Sequence, residues 1–336
     1  MDRPFRLFRK LEDVRDFGPS ALTIGNFDGV HSGHQRILRR VCEVAAKQGW
    51  KPSVLTFDPH PATIVAPARA PRLMTTPEQR AVLMRAEGIA QVLILPFNAD
   101  VARLTAEEFV ERILVAKLGV RAVVVGENFR FGNRKSGNTQ LLKSLGERLG
   151  FVTEVVPAVM CRGMRVSSSG LRELVEAGDV GRAARLLMRP YALEGQVVQG
   201  RGVGSAKTVP TLNLATESET LPKTGVYVTR TVDLADGRGW NSVTNVGYRP
   251  TFGADDRLSI ETFLLDALDG ETPRSIRVEF LRRLRDERKF ESPEALRTQI
   301  LKDVTRAQAY FRRSAQWKRQ PVLEYIKGDA NETVRR

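Results

Sequence analysis

Residues Leu22 to Gln35 read LTIGNFDGVHSGHQ. A short apolar run, Ala21–Ile24, enters a turn carrying Gly25 and Gly29, and the turn leads through His31-x-Gly33-His34 into residues of helical period. A strand that passes through glycines straight into a helix predicts the opening of a parallel α/β sheet. The helix N-terminus turns unpaired amide N–H groups and a positive dipole end towards whatever lies at the strand end. Glycines let backbone approach a phosphate closely, and two imidazoles add donors. Such a set suits phosphoryl or nucleotidyl transfer, where positioning and charge stabilisation do most of the work.

The same alternation continues on both sides of this stretch. Buried-type strands are predicted at Ser53–Phe57, Gln91–Leu95, Ala122–Val125 and Val152–Val156, with helices at Gly33–Lys47, Pro77–Glu87, Ala106–Lys117 and Asn138–Leu149. Thr76-Pro77 and Thr105 before Ala106-Glu107-Glu108 carry the signals of helix starts. Two further helices, Gly170–Ala177 and Val180–Leu187, precede Arg189-Pro190, where the pattern ends. The first part therefore reads as a Rossmann-like α/β domain with a parallel sheet.

From Tyr191 to about Arg283 the chain becomes closely spaced strands: Ala192–Val198, Gly225–Val232, Asn241–Val246, Leu258–Leu265 and Ile276–Leu281. Gly, Pro, Asp and Asn turns separate them, as in a small closed β-barrel. Ser292-Pro293-Glu294 then opens a terminal helix running towards Phe311, with Leu296, Ile300, Val304 and Ala307 expected on its packed face. The expected domains are residues 1–187 and 188–328, with 329–336 a tail.

The length of 336 residues favours two domains, and 42% hydrophobic with 27% charged residues is a globular composition. No apolar stretch is long enough to span a bilayer, and the N-terminus MDRPFRLFRKLEDVRDF mixes charges where a secretory signal needs an apolar core. Two distant cysteines, Cys42 and Cys161, fit neither a disulfide framework nor a structural zinc site, so a cytoplasmic location is expected. A formal charge of +14 favours anionic partners without choosing among nucleotides, phosphorylated metabolites and nucleic acid. A homo-oligomer is left open.

All three histidines, His31, His34 and His60, lie at the ends of the first two strands of the alternation, His60 within TFDPHP. Ligands of open α/β sheets bind at such strand ends. The plainer alternatives are a capping pair for His31 and His34 and turn ordering for His60; zinc lacks a completing Cys or carboxylate set. In Gly126-x-Asn128-Phe129-x-Phe131-Gly132 the aromatic pair can stack on a planar ring, but packing on the core is the commoner use. Ser167-Ser168-Ser169-Gly170 before Arg172 reads first as a helix start, with Ser169 and Glu173 as capping residues, and second as a phosphate cradle.

GNFDGVHSGHQ resembles the nucleotidyltransferase signature, in the form found in the prokaryotic bifunctional riboflavin kinase/FMN adenylyltransferase (FAD synthetase) family. TFDPHP, GENFRFGNRKSGN at Gly126–Asn138 and VSSSGLRELV at Val166–Val175 follow in that family's order. The resemblance implies adenylylation of FMN by ATP to FAD and pyrophosphate. It assigns His31 and His34 to catalysis by charge stabilisation. Gly25, Asn26, Phe27, Gly29, Gly33, Ser168, Ser169 and Arg172 go with the ATP phosphates, and Asp58 and Asn128 with flavin. The FMN phosphate is already ionised, so no strong base is required.

The second half resembles the riboflavin kinase module through VPTLNL, LPKTGVY, NVGYRPTFG, ETFLLD and LRDERKFESPEALRTQILKD. That resemblance implies Thr211 and Asn213 as Mg²⁺ ligands with the nucleotide and Glu261 as base on the ribityl 5′-hydroxyl. The glycine-rich stretch with Gly200, Gly202 and Gly204 can wrap ATP phosphates with its amides, and Lys207 can supply charge to them. The plainer reading of Glu261 is a strand residue paired with Arg257 or Arg277. Departures concentrate here: Thr208 and Val209 replace the usual Gly and aromatic, Phe263 the usual His, and Met188 the usual Gly before Arg-Pro-Tyr. The expected partners are riboflavin, FMN, FAD and ATP, with Mg²⁺ and no membrane. Three other readings compete: an adenylyltransferase with an impaired barrel, transfer to some other phosphate, and nucleic-acid binding through Arg282-Arg283-x-Arg285. Asp286 and Glu287 interrupt that basic run and weigh against nucleic acid.

Overall fold

The computed structural model describes residues 5–198, 211–249 and 257–318. The chain divides into two compact units, Met1–Glu176 with Arg182–Arg189 and Ser218–Leu221, and Ala177–Gly181 with Pro190–Glu217 and Pro222–Arg336.

The first unit is built on six parallel strands, β1 (Arg6–Phe8), β2 (Ser20–Ile24), β3 (Lys51–Asp58), β4 (Gln91–Pro96), β5 (Val120–Gly126) and β6 (Val152–Val156), in the order β1-β4-β3-β2-β5-β6. All five residues of β2 are buried, as expected of a central strand covered on both faces. The chain winds outward through β3 and β4 and then crosses back to β5, so the winding direction reverses between β2 and β5. β1 is an edge strand that sequence pattern missed, since its three residues are too few to show alternation.

The helices are α1 (Ser32–Gln48), α2 (Pro61–Val65), α3 (Pro77–Ala86), α4 (Ala99–Arg103), α5 (Ala106–Glu108) and α6 (Thr139–Leu149). The expected starts at Thr76 and Thr105 are full capping boxes with Gln79 and Glu108. The helix expected over Ala106–Lys117 changes character: from Phe109 to Lys117 it is a π-helix, with Leu118 N–H donating to the Ile113 carbonyl five residues back. Phe109, Val110, Ile113 and Leu114 are buried along it.

A small hairpin, β7 (Met160–Cys161) and β8 (Met164–Arg165), escaped the sequence reading because each strand has two residues. Its turn residues Arg162 and Gly163 have φ of 49° and 79°, the left-handed pair that a two-residue hairpin needs. Two helices follow, α7 (Ser168–Glu176) and α8 (Val180–Leu187). Ser167, not Ser169, caps α7: its Oγ accepts from Gly170 N–H at 3.2 Å. Ser169 lies inside the helix, where it cannot reach the orphan amides ahead of it.

The second unit is a closed antiparallel barrel of β9 (Tyr191–Val198), β10 (Thr211–Thr216), β11 (Gly225–Asp233), β12 (Gly239–Arg249), β13 (Arg257–Leu264) and β14 (Ser275–Arg285), ordered β10-β13-β12-β11-β14-β9. Leu193, Leu264, Ile276, Val278 and Phe280 are fully buried in it. A hydroxyl chain runs alongside them from Thr231 through Ser242, Thr229 and Thr244 to Thr262, with oxygens 2.8–2.9 Å apart and every member inaccessible to solvent. A hydroxyl both donates and accepts, so a linear chain of them is satisfied inside the barrel.

Helix α9 (Pro293–Lys318) is present, and of its expected packed face Ala307 is buried while Leu296 and Ile300 are not. Leu296 and Ile300 are 42% and 37% exposed, whereas Gln299, Asp303 and Ala307 are buried. Arg285 donates to the Asp303 carboxylate at 2.9 Å, Gln299 donates to the same carboxylate at 2.8 Å, and Arg288 donates to Gln299. The need to neutralise a largely buried guanidinium at the end of β14 sets the rotation of the helix. Ala307, Tyr310 and Phe311 then pack with Val226, Val228 and Val243.

Candidate active site

His31 is itself the N-cap of α1, its Nδ1 accepting from the His34 N–H at 3.3 Å. The His34 ring stacks on it at 3.6 Å between centroids and 15° between planes, and sits edge-on to Phe27 at 5.0 Å. Burial pushes His31 down to about 4 and His34 well below its ordinary value, so both imidazoles are neutral at pH 7. With Nδ1 accepting, neutral His31 carries its proton on Nε2. His34 Nδ1 is buried with no hydrogen-bond partner among the described residues. A Cβ at Gly33 would lie 3.1 Å from the His31 ring, so any side chain there crowds the imidazole.

The turn before these histidines is strained and heavily tied. Phe27 and Val30 have φ of 52° and 39°, in the left-handed region that favours glycine. Arg80, fully buried, donates to the Asn26 carbonyl at 2.6 Å. Arg189 donates to the Gly29 and Val30 carbonyls at 2.6 and 3.0 Å, and Gln35 to Val30 at 3.1 Å. The Asp28 carboxylate is buried and accepts from Met74 N–H at 3.0 Å, from both Thr75 N–H and its hydroxyl, and from Arg172 at 2.8 Å. Ser168 Oγ donates to the Asp28 carbonyl at 3.0 Å. Asp28, Arg80 and Arg189 were not picked out from sequence. Asp28 lies inside the decisive motif, but neither its burial nor its partners, 46 to 144 residues away in the chain, are local signals.

A cavity of about 280 Å³ opens at the C-terminal ends of β2, β5 and β6, beside the reversal of winding direction. Of the residues expected at the first site, Gly25, Phe27, His31, Gly33, His34, Asn128 and Ser168 line it. Asn26 and Gly29 lie in the turn behind it, and the Asn26 amide is 2.8 Å from His60 Nε2. His60 caps α2 through Nδ1, and burial followed by the nearby Arg172 lowers its pKa. Ser169 is exposed, and Asp58 is exposed at the end of β3, away from the cavity wall. Arg172 does not line the cavity; besides Asp28 it donates to the Arg72 carbonyl at 2.7 Å. Glu127 and Arg165, 3.3 Å apart, are wall residues that sequence reading passed over. Phe131 is buried in the core with Phe129 stacked on it at 5.4 Å.

In the barrel, Asn213 stands directly across from Glu261 and Thr211 across from Phe263. Leu212 and Leu214 point inward, so alternation puts Thr211 and Asn213 together on the outer face. Glu261 is half-buried, receives a hydrogen bond from Ser259 at 3.2 Å, and faces Asn245 on its other side. Arg277 pairs with Glu194 at 2.6 Å, not with Glu261. Thr hydroxyl, Asn carbonyl and carboxylate are hard oxygens of the kind Mg²⁺ takes. Gly200, Gly202, Gly204 and Lys207, with Thr208 and Val209, lie outside the described residues. Arg283 and Arg285 of the basic cluster are engaged within the chain, by Asp286 at 2.8 Å and Asp303 at 2.9 Å.

A capped imidazole pair on a parallel sheet, joined in one chain to a six-stranded barrel with an Asn–Glu outer pair, defines a two-domain transferase acting on phosphates. Family models agree: FAD synthetase matches residues 14–170 and riboflavin kinase residues 187–311. The bifunctional riboflavin kinase/FMN adenylyltransferase of Pseudomonas fluorescens is 39% identical over 92% of this chain and 99% of its own length. That of Haemophilus influenzae is 35% identical over 87% and 94%, and that of Escherichia coli K12 33% over 86% and 92%. A solved structure described as a macrolide-efflux protein from Streptococcus pneumoniae superposes with a TM-score of 0.79 at 27% identity, over 90% of this chain and 98% of the other. Among the described residues no helix is long and apolar enough to cross a membrane. The chain belongs to the bifunctional riboflavin kinase/FMN adenylyltransferase family. It is an ATP-dependent enzyme of flavin cofactor biosynthesis and contains the domains of both activities.

Proposed function

We propose that residues 1–187 adenylylate FMN and residues 188–328 phosphorylate riboflavin, with 329–336 a tail outside both. The observation that carries the first assignment is the stacked, neutral His31–His34 pair on the wall of a cavity at the sheet's reversal point. An FMN phosphate oxygen attacks the α-phosphorus of ATP, the bond to the bridging oxygen breaks, and pyrophosphate leaves. His31 Nε2–H, His34 and the α1 amides stabilise charge on the transferring phosphoryl oxygens. Ser168, Ser169 and Arg172 hold phosphates, Gly25, Asn26, Phe27, Gly29 and Gly33 shape the approach, and Asn128 and Asp58 lie on the flavin side.

In the barrel, the ribityl 5′-hydroxyl attacks the γ-phosphorus of ATP, Glu261 takes the hydroxyl proton, and ADP leaves. Thr211 and Asn213 hold the Mg²⁺ that accompanies the nucleotide; Mg²⁺ bound there supplies charge neutralisation at the phosphates. Gly200, Gly202, Gly204 and Lys207 bind the ATP of this reaction. The cytoplasm, which supplies ATP and keeps Cys42 and Cys161 reduced, is the compartment of both reactions.

The test is chromatography of flavins after incubation with ATP, Mg²⁺ and either riboflavin or FMN. His31→Ala and His34→Ala abolish FAD formation and spare FMN formation, and Glu261→Ala abolishes FMN formation from riboflavin while sparing FAD formation from FMN. Loss of both products from any one of these variants, with the fold intact, refutes the division into two sites. FAD formed from FMN but not from riboflavin by the unaltered protein identifies an impaired barrel.

A further inference from the structure

Asp28 sits two residues before a strained Val30 and three before His31, yet the chemistry above gives it no task. Its carboxylate is 2% exposed and takes four donors from two other segments, the stretch around Met74 and Thr75 and the helix α7. Its main-chain carbonyl takes a fifth, from Ser168. Thus Asp28 holds two residues of α7, Ser168 through the backbone and Arg172 through the side chain, against the turn that leads into the histidine pair. Arg172 is gripped at two points of its fork, Nη2 by Asp28 and Nε by the Arg72 carbonyl at 2.7 Å. A guanidinium fixed at two edges has its plane set, and Nη1 is left to donate elsewhere.

Charge makes the arrangement informative. A buried carboxylate within electrostatic reach of His31 repels an incoming polyphosphate, so nothing about ATP affinity recommends Asp there. Its benefit lies in geometry: a two-point clamp fixes the Arg172 guanidinium beforehand, so that it needs no reorganisation when charge develops. We propose that Asp28 is the positioning residue of adenylyl transfer, acting through Arg172 and Ser168. The proposal rests on the assignment of Arg172 to the ATP phosphates.

The experiment is a double-mutant cycle on the full chain with Asp28→Asn, Arg172→Gln and the double variant, read as kcat and KM for ATP in FAD synthesis. Riboflavin phosphorylation by the same preparations reports the integrity of the barrel, and circular dichroism that of the sheet. Asp28→Asn lowers kcat tenfold or more while KM for ATP stays level or falls, because a repelling charge has gone; in the Arg172→Gln background it costs less than threefold further. An Asp28→Asn penalty of equal size in both backgrounds, or a rise in KM with kcat unchanged, overturns the proposal. Arg172→Lys tests it without touching Asp28: the charge remains and the fork is lost, so kcat falls nearly as far as in Arg172→Gln, and a rate like that of the unaltered enzyme overturns it. Unchanged kinetics in Arg172→Gln itself would remove the phosphate assignment, and this proposal with it.

Discussion

His31 caps its own helix, and that contact ties the tautomer of a catalytic imidazole to the backbone of α1. Because burial lowers its pKa to about 4, the folded state resists protonation that the unfolded chain accepts near pH 6.5. The unfolded state binds more protons between those values, so the contribution of His31 to stability is complete above about 6.5 and is lost as pH falls towards 4. Denaturant titrations of the unaltered protein between pH 7 and 4.5 show falling stability, and His31→Asn flattens the slope. Met188 carries a different strain. It has φ of 56° and is 72% exposed, a side chain with no packing return in a left-handed conformation. Met188→Gly therefore stabilises the protein by about 1 kcal/mol, read as a higher denaturation midpoint with unchanged activity.

Helix α9 shows how an element can be located correctly and oriented wrongly. Its start at Ser292-Pro293 and its apolar spacing are in the sequence, and the spacing points to Leu296 and Ile300. The expected Ala307 is buried, but earlier in the helix the buried positions are Gln299 and Asp303, each one residue before the expected Ile300 and Val304. The reason is Arg285, whose guanidinium side chain is 17% exposed and whose partner is Asp303 at 2.9 Å. Removing one member of such a pair leaves an uncompensated charge, so Asp303→Ala costs about 3 kcal/mol. Ile300→Lys, on the face that periodicity favours, changes stability by less than about 0.5 kcal/mol. Thermal denaturation of the two variants separates the readings. The π-helix from Phe109 is a second such case, since nothing in the local period announces its wider turn.

Two units, each with its own proposed site, make a prediction about the chain in its entirety. FMN made in the barrel reaches the adenylylating site by release and rebinding, so a mixture of His31→Ala chains and Glu261→Ala chains forms FAD from riboflavin although neither does alone. The flavin products of the mixture, followed over time, show free FMN before FAD. FMN that never appears in solution, together with no FAD from the mixture, contradicts this.

The main alternation of strands and helices, the parallel sheet and the barrel were legible in the sequence because they depend on local period and glycine turns, whereas the flavin chemistry was legible only through the resemblance of its motifs to a family. Gly33 beside His31, and the capping boxes at Thr76 and Thr105, are interactions over two or three residues. What only the tertiary structure decided depends on charge and space shared between distant segments. Asp28 finds Arg172 across 144 residues, and Asp303 finds Arg285 across 18. The turn into His31 keeps its strained form because Arg80 and Arg189, from elsewhere in the chain, hold its carbonyls. Periodicity records which residues avoid water; it does not record which buried charge needs a partner, and that need determined the rotation of α9 and the closure of the turn around Asp28.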